Sequence, residues 1–200
     1  MLEYPTIDKI VRREQCYVFD KIDGSNIRAE WNREKGFWKF GRRHGLLDAS
    51  TPILLRAPQL IEWKYKLAVA RALKSARVHK AVLFFEFYGE HSFAGNHDVT
   101  DIHDVILIDA SFDMKTLVEP REFCKVFSEV QHVTLLAHQQ FSAELESAIR
   151  SNFGWGDISL HEGVVCKTNS GLRFKVKTDA WLEKLHTFCA GNDKLFKELE

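Results

Sequence analysis

Three lysines occupy positions from which they could act on phosphate. Lys21 lies in the run Asp20-Lys-Ile-Asp-Gly-Ser-Asn26, where a predicted strand ends in a glycine turn. A lysine amine attacks phosphorus only after losing its proton, and a pKa of about 10.4 leaves it neutral only about once in 10³ to 10⁴ molecules at pH 7. Nearby cations and partial burial lower that pKa. Lys175 and Lys177 could supply such cations if their strand faces the turn.

Residues 172–177 alternate between apolar and cationic side chains. Arg173, Lys175 and Lys177 therefore share one face of a predicted strand, above an apolar face. Like charges in one row repel each other, so a phosphate-rich ligand lying across them would explain the row. The alternative is a solvated edge strand, on which lysine prevents unwanted strand pairing. The preceding Asn169-Ser-Gly171 turn predicts that residues 162–168 and 172–177 form a β-hairpin.

The overall charge of the chain hides a strong segregation. The 200 residues include 28 Lys and Arg and 28 Asp and Glu, which argues against the basic footprint of a nonspecific nucleic-acid binder. However, residues 56–80 carry a net charge of +6, and residues 86–122 carry −7. A basic and an acidic element could bind a polyanion and a divalent cation respectively, and two solvated faces of opposite sign explain the pattern equally well.

The elements that must position these residues indicate an α+β fold in one domain. Strands are predicted over residues 17–20, 27–31, 37–42, 81–88 and 105–112, and helices begin at Pro120, near Ser142 and around Asp179. The strands cluster without regular βα alternation, which favours α+β. A further helix in the basic segment is predicted to bury one apolar stripe and expose its cations, the stripe being Leu60, Trp63, Leu67, Ala70 and Leu73.

Other protein classes are excluded by simple features. The longest apolar runs are far shorter than the roughly 20 residues of a membrane helix, and Met1 does not begin a signal pattern, so we expect a cytoplasmic protein without membrane contact. The four cysteines are far apart and form no CxxC pair, so we expect reduced, packed thiols. His91, His97 and His103 lie among aspartates, where a polar loop is favoured over a transition-metal site.

Six short motifs in a fixed order resemble the motif series of covalent nucleotidyltransferases. They are Lys21-Ile-Asp-Gly-Ser-Asn26, Gly41-Arg-Arg43, Phe85-Glu-Phe-Tyr-Gly-Glu90, Val105-Ile-Leu-Ile-Asp109, Glu162-Gly-Val-Val-Cys-Lys167 and Lys175-Val-Lys177. Asn26 and the tract from Glu90 to Gly95 make the chain most similar to the RNA ligase family, which seals breaks in RNA. The resemblance implies the nucleotidyltransferase fold, with antiparallel sheets around a nucleotide pocket flanked by helices. It implies a single adenylylation domain over residues 1–200, without an OB-fold.

The same resemblance implies an ATP-dependent RNA ligase. Lys21 would form a covalent lysyl-AMP, AMP would pass to an RNA 5′-phosphate, and a 3′-OH would displace it. The implied catalytic residues are Lys21, Glu162, Lys175 and Lys177. The implied nucleotide-binding residues are Asp23, Asn26, Arg43, Glu86, Ile108, Val164, Lys175 and Lys177, with Ile108 and Val164 or Val165 against adenine. Mg²⁺ or Mn²⁺ would be held by Glu162 and Glu86, and RNA phosphate would be contacted by Arg42, Arg43 and Asn26.

Three alternatives stay open on the sequence alone. A guanylyltransferase of the capping type would use GTP, a DNA ligase would join nicked DNA, and a nonenzymatic member of the fold would bind nucleotide or RNA without covalent labelling. For the RNA ligase, the partner is RNA with 5′-phosphate and 3′-OH ends, with a second protein for nick recognition as a further expectation. The basic helix and the Arg42 and Arg43 pair are expected to contact RNA phosphates.

Overall fold

The computed structural model describes residues 1–8, 13–153, 155 and 158–200, which form two compact units. Unit 1 comprises Met1–Pro5, Gly24–Ser92 and His97–His132. Unit 2 comprises Thr6–Asp23, Phe93–Asn96 and Val133–Glu200. The expected α+β class is confirmed, because each unit contains one antiparallel sheet and helices. The expectation of a single nucleotidyltransferase domain stays a prediction.

The helices and strands follow the predicted order with additions. In chain order they are β1 (Gln15–Lys21), β2 (Ser25–Asn32), β3 (Gly36–Arg42), a 3-10 helix (Pro52–Arg56), α1 (Ala57–Ser75), β4 (Lys80–Gly89), β5 (His103–Ser111), α2 (Pro120–Val126), β6 (Leu135–Gln140), α3 (Ala143–Arg150), β7 (Gly163–Lys167), β8 (Arg173–Lys177), α4 (Asp179–Cys189) and α5 (Asp193–Leu199). Thr178 caps α4 by accepting a hydrogen bond from the backbone N–H of Trp181. Over the described residues, we find no helix with the length and apolarity needed to cross a bilayer.

Unit 1 packs α1 against a sheet with the strand order β3-β2-β4-β5. The predicted buried stripe of α1 is wrong in part, since Leu73 is buried but Trp63 is 83% exposed and Leu67 is 75% exposed. The helix has apolar residues around most of its circumference, so spacing alone permits more than one stripe. The stripe that packs contains Ile61, Tyr65 and Val69, and the Tyr65 hydroxyl donates to the Val105 carbonyl oxygen at 3.2 Å.

Unit 2 is built on a sheet with the strand order β6-β1-β7-β8. The predicted hairpin is confirmed, because β7 and β8 pair in antiparallel fashion. One face of this sheet forms an apolar core under α3, with Leu145 and Ile149 packing on Val18, Cys166 and Phe174. The cysteines are free and three of the four are buried, as expected for reduced thiols. The core fixes one sheet face in the interior and leaves the lysines on the other.

Candidate active site

The lysines of unit 2 share one face of its sheet. Lys21 lies opposite Gly163, and Gly163 lies opposite Lys177 on the other side. Cross-strand neighbours in an antiparallel sheet point to the same face, so Lys21 and Lys177 flank the first residue of β7. Lys175 lies opposite Val165 and points to the same face. The alternation predicted for β8 is therefore confirmed.

Gly163 is the residue that permits this arrangement. A Cβ atom at this position would lie 2.1 Å from the Val176 carbonyl oxygen and 2.6 Å from the Lys177 Cα. Its φ of +147° is also a conformation that L side chains rarely adopt. Glycine thus lets the strands of the two lysines approach, and it places the preceding Glu162 beside both of them.

Glu162 joins the two lysines through one buried carboxylate, and we name the three residues the Lys21–Glu162–Lys177 cluster. Lys21 Nζ lies 2.6 Å from Glu162 Oε2, and Lys177 Nζ lies 2.9 Å from Glu162 Oε1. Glu162 is 3% exposed and Lys177 is 6% exposed. Burial would raise the pKa of Glu162, but the ammonium groups of Lys21 and Lys177 outweigh it and lower that pKa. Burial lowers the pKa of Lys177, and the charge of Lys21 adds to this, against the opposing effect of Glu162.

The end of α5 lies beside the cationic strand. Lys175 Nζ donates to the Glu200 backbone carbonyl oxygen at 2.7 Å, and Lys177 Nζ donates to that of Leu199 at 3.2 Å. These carbonyls carry the partial negative charge of a helix C-terminus. The two lysines thus donate hydrogen bonds to carbonyl oxygen atoms. A phosphate would offer them acceptors of the same atom type.

Asp23 is held by contacts from segments distant in sequence. Its Oδ2 accepts the indole N–H of Trp181 at 2.8 Å and the backbone N–H of Ala94 at 3.0 Å. The Trp181 ring centroid lies 3.4 Å from Lys177 Nζ. Asp23 is therefore more than a local turn residue, since it links the motif of Lys21 to α4.

The predicted nucleotide residues of unit 1 share one face of its sheet. Asn26 lies opposite Glu86, and Glu86 lies opposite Ile106 on its other side. Ile108 falls two residues further along β5, at an irregularity in the β4–β5 register, and is half-buried. Both side-chain amide atoms of Asn26 are buried without a hydrogen-bond partner among the described residues. Such an orphaned amide is what a ligand hydroxyl or phosphate oxygen would satisfy.

Arg42 is separated from these residues. It lies opposite Ile27, which points into the core, so it is on the other sheet face from Asn26 and Glu86. Its guanidinium lies 3.9 Å from Asp48. Strand alternation therefore places Arg42 and Asn26 on different faces of the sheet, and the contact of Arg42 with RNA phosphate stays a prediction. Arg43 follows the strand end and is exposed, and its role stays a prediction.

Val164 also requires a correction. It is fully buried in the core of unit 2, opposite Val176, on the sheet face that the lysines do not occupy. Val165 lies on the lysine face, opposite Lys175. Of the two valines considered for adenine, the geometry favours Val165, because the side chains of consecutive strand residues point in opposite directions.

Of the three histidines, His91 and His97 lie in the loop between β4 and β5, whereas His103 begins β5 and is buried against Phe87. His91 pairs with Asp101, and the ring of His97 bridges the hydroxyls of Ser25 and Ser92 at 2.8 Å each. Burial lowers the pKa of His97. No group of three or more His, Cys, Asp or Glu residues suited to a metal occurs within the described ranges.

Comparisons with known proteins decide the family. The family profile described as RNA ligase matches residues 14–181, most of the chain. The chain belongs to the RNA ligase family. No curated protein sequence matches it significantly.

Solved structures of Naegleria gruberi RNA ligase share the fold of this family member. The structure with PPi has a TM-score of 0.60 and 19% identity, and the match covers 86% of this chain and 52% of that one. A mutant with ATP and Mn gives 0.61 and 21%, covering 91% and 59%, and a mutant with AMP and Mn gives 0.59 and 20%, with the same coverage. This RNA ligase family chain thus spans just over half the length of those ligases.

The residues of this RNA ligase family member fit the ATP and divalent cation that the motifs imply. In unit 2, Lys21 and Lys177 are cations close to one buried carboxylate, the charge type that phosphate oxygens require. In unit 1, Asn26 has a buried amide without a hydrogen-bond partner among the described residues. Mg²⁺ keeps several waters and binds one or two carboxylates together with substrate phosphates, so Glu162 suffices without a larger acidic cluster. The sequence motifs do not include Trp181, which lies in the helix predicted from around Asp179. Its position four residues after Lys177, in the first turn of α4, is the signal that could have found it.

Proposed function

We propose that this chain is an ATP-dependent RNA ligase that works through a covalent lysyl-AMP on Lys21. The Lys21–Glu162–Lys177 cluster carries the proposal, because it joins the lysine of the first motif to the cationic strand through one buried carboxylate. A solvated edge strand would not bury Lys177 and Glu162 together. The family membership of the chain supports the same activity.

In the first step, the neutral Lys21 amine attacks the α-phosphorus of ATP. The N–P bond forms, the bond between the α-phosphorus and the bridging oxygen breaks, and pyrophosphate leaves with the electron pair. The proton lost from Nζ passes to solvent, because the Lys21 side chain is 19% exposed. Lys175 and Lys177 stabilise the charge that develops on the phosphate oxygens.

In the following steps, an RNA 5′-phosphate oxygen attacks the α-phosphorus of lysyl-AMP, the N–P bond breaks, and Lys21 leaves as an amine that takes up a proton from solvent. An RNA 3′-OH then attacks the activated 5′-phosphate, its proton passes to solvent, and AMP leaves with the electron pair of the broken P–O bond. Asn26 and Glu86 bind nucleotide or RNA hydroxyls, and Val165 contacts adenine, while the adenine contact of Ile108 stays a prediction. The neutral net charge of the chain predicts modest RNA affinity, so a second protein that recognises the break would increase it.

Glu162 would hold a divalent cation, with water completing the coordination, and a role of Glu86 as a second ligand stays a prediction. When bound, Mg²⁺ or Mn²⁺ supplies positive charge to the reacting phosphate oxygens. Because both oxygens of Glu162 contact lysines in this structure, the carboxylate must exchange one of these contacts when it takes up a cation.

The decisive experiment is incubation with α-labelled ATP and Mg²⁺, followed by denaturing electrophoresis. We expect a label on the protein that survives denaturation and disappears in Lys21→Ala and Lys21→Arg. The arginine variant keeps a cation beside Glu162 but has no comparable nucleophile, so it separates chemistry from folding. Lys80→Arg, an exposed lysine at the start of β4, is the matched control and should label normally.

The outcomes also separate the alternative activities. Labelling by GTP instead of ATP would indicate a capping-type guanylyltransferase, and joining of nicked duplex DNA without RNA would indicate a DNA ligase. The absence of label from any nucleotide would contradict the proposed activity and leave a nonenzymatic member of the fold.

A further inference from the structure

The indole of Trp181 touches two residues of the candidate site at once. Its N–H donates to Asp23 Oδ2 at 2.8 Å, and its ring centroid lies 3.4 Å from Lys177 Nζ. The first contact reaches the turn that follows Lys21, and the second reaches the strand that carries Lys175. The known motifs contain Asp23 and Lys177, and Trp181 lies outside them.

The surroundings of Trp181 fix its ring in this place. It belongs to the first turn of α4, its backbone N–H donates to the Thr178 cap, and the Thr178 N–H donates to the Glu162 backbone carbonyl. On its other side it packs on Phe93 at 5.4 Å between ring centroids. The side chain is buried, so neither contact is a chance encounter of a mobile surface group.

The contacts of Lys177 show what the ring does. An ammonium has three N–H groups, and Lys177 directs two of them to Glu162 and to the Leu199 carbonyl. A π face close to a buried ammonium attracts it electrostatically, most strongly when the ring is an indole. Trp181 therefore limits the directions in which Lys177 can point without competing for its hydrogen-bond acceptors.

We propose that Trp181 is a positioning residue of the ligase site, which orients Lys177 through its ring and Asp23 through its N–H. This inference rests on the proposed function, since it assigns the residue to the transfer of AMP onto Lys21. Trp181 acts through Asp23 and Lys177 and makes no contact of its own with the reacting atoms.

Two substitutions separate the contacts. Trp181→Phe keeps an aromatic face under Lys177 and loses the N–H to Asp23, whereas Trp181→Leu loses both. In single-turnover labelling at saturating ATP, we expect Trp181→Phe to slow lysyl-AMP formation about tenfold, and Trp181→Leu to slow it a further three- to tenfold. The reverse reaction with pyrophosphate should slow by the same factors, while the apparent dissociation constant for ATP changes less.

The matched control is Phe188→Leu, which removes a ring from the same helix at a position that packs on Phe93, while leaving the side chains of Trp181, Asp23 and Lys177 intact. All rates are corrected for the folded fraction measured by thermal unfolding. Rates of both Trp181 variants equal to wild type would overturn the proposal. An equal loss in Phe188→Leu would also overturn it, because the effect would then come from general packing.

A second measurement does not depend on activity. The ¹H–¹⁵N spectrum contains indole signals from five tryptophans, and the Trp181 signal is the one lost in Trp181→Phe. We expect this signal to move in Asp23→Ala and in Lys177→Gln, while the signal of the half-exposed Trp38 stays in place. If the Trp181 signal moves in neither variant, the positioning role is refuted even in an active enzyme. If it moves but wild type never labels, the placement stands and the proposed ligase activity fails.

Discussion

Replacing Glu162 by glutamine removes the charge that holds two lysines together. Glu162→Gln keeps the shape of the side chain, but one of its two ends becomes an NH₂ group that faces an ammonium. Removing one partner from a buried ion pair costs about 3–5 kcal/mol. Lys21 is 19% exposed and can turn towards water, while Lys177 stays buried. We therefore expect the lower end of that range, about 3 kcal/mol of unfolding free energy.

The loss should depend on pH in a defined direction. The folded-state pKa of Glu162 is lowered, so its stabilising contribution is present above the ordinary carboxyl pKa of about 4.3 and is lost as the pH falls through the folded value. In the variant, the buried ammonium of Lys177 has lost its carboxylate, and its cost decreases as the amine is neutralised at high pH. The difference between the two proteins should thus be largest near neutral pH.

Urea unfolding between about pH 2 and pH 10, followed by circular dichroism, measures this difference. The control is Glu146→Gln on α3, where the carboxylate pairs with Arg150 at 2.8 Å on the surface. An exposed pair at this helical spacing contributes about 0.3–0.5 kcal/mol. A loss in Glu162→Gln no larger than that in Glu146→Gln, or a loss independent of pH, would refute the electrostatic account of the cluster.

Three further predictions follow from local geometry. Gly163→Ala should destabilise the protein by about 3 kcal/mol or more, because the new Cβ would lie 2.1 Å from the Val176 carbonyl oxygen, and unchanged thermal unfolding would contradict this. Burial lowers the pKa of His97, so the unfolded chain takes up its proton first and stability falls as the pH drops below about 6.5. Between pH 7.5 and pH 5.5, the unfolding free energy of His97→Asn should fall less than that of wild type in urea titrations. Equal losses in the two proteins would contradict the assignment of this pH dependence to His97. Trp63→Gln should change the unfolding free energy by less than about 0.5 kcal/mol, whereas Tyr65→Ala should lower it by about 3–5 kcal/mol; the reverse order in urea unfolding would restore the predicted phase of α1.

The strands that carry the lysines could be predicted because their pattern is local. Lys175 and Lys177 alternate with Phe174 and Val176, and a period of two directly gives the two faces of a strand. In the structure, the side chains of Phe174 and Lys175 lie on opposite faces of the sheet, as strand alternation alone predicts. The motif order then indicated which lysine of the chain is the nucleophile candidate.

Other features depend on contacts that no local pattern contains. The phase of α1 is fixed by the hydrogen bond of Tyr65 to β5, about 40 residues away in the chain. Strand β6 is mostly exposed and lacks an alternating pattern, and it forms because β1 supplies its hydrogen bonds. The choice between Val164 and Val165 required the register of β7, since a shift of one residue exchanges the two faces.

The basic helix illustrates how charge alone leaves function open. The cations Lys66, Arg71 and Lys74 are exposed, as predicted. However, α1 packs on the core face of its sheet, and Asn26 and Glu86 lie on the opposite face. Contact between this helix and RNA stays a prediction, and it would involve RNA away from those two residues.

In the proposed ligase reaction, the Lys21–Glu162–Lys177 cluster would contribute to both stability and rate. Its three charged groups are held close together before any nucleotide binds, so part of the polar environment is preorganised, and only the contacts that Glu162 exchanges have to rearrange. The desolvation of these charges lowers the free energy of unfolding, because it takes place when the protein folds. It therefore does not add to the activation free energy of the reaction. Replacing buried ionic groups by well-packed apolar ones is often neutral or stabilising, so selection for stability alone would remove the cluster. A search for more stable variants should therefore find some that fold better and no longer react, with their substitutions concentrated at these three positions.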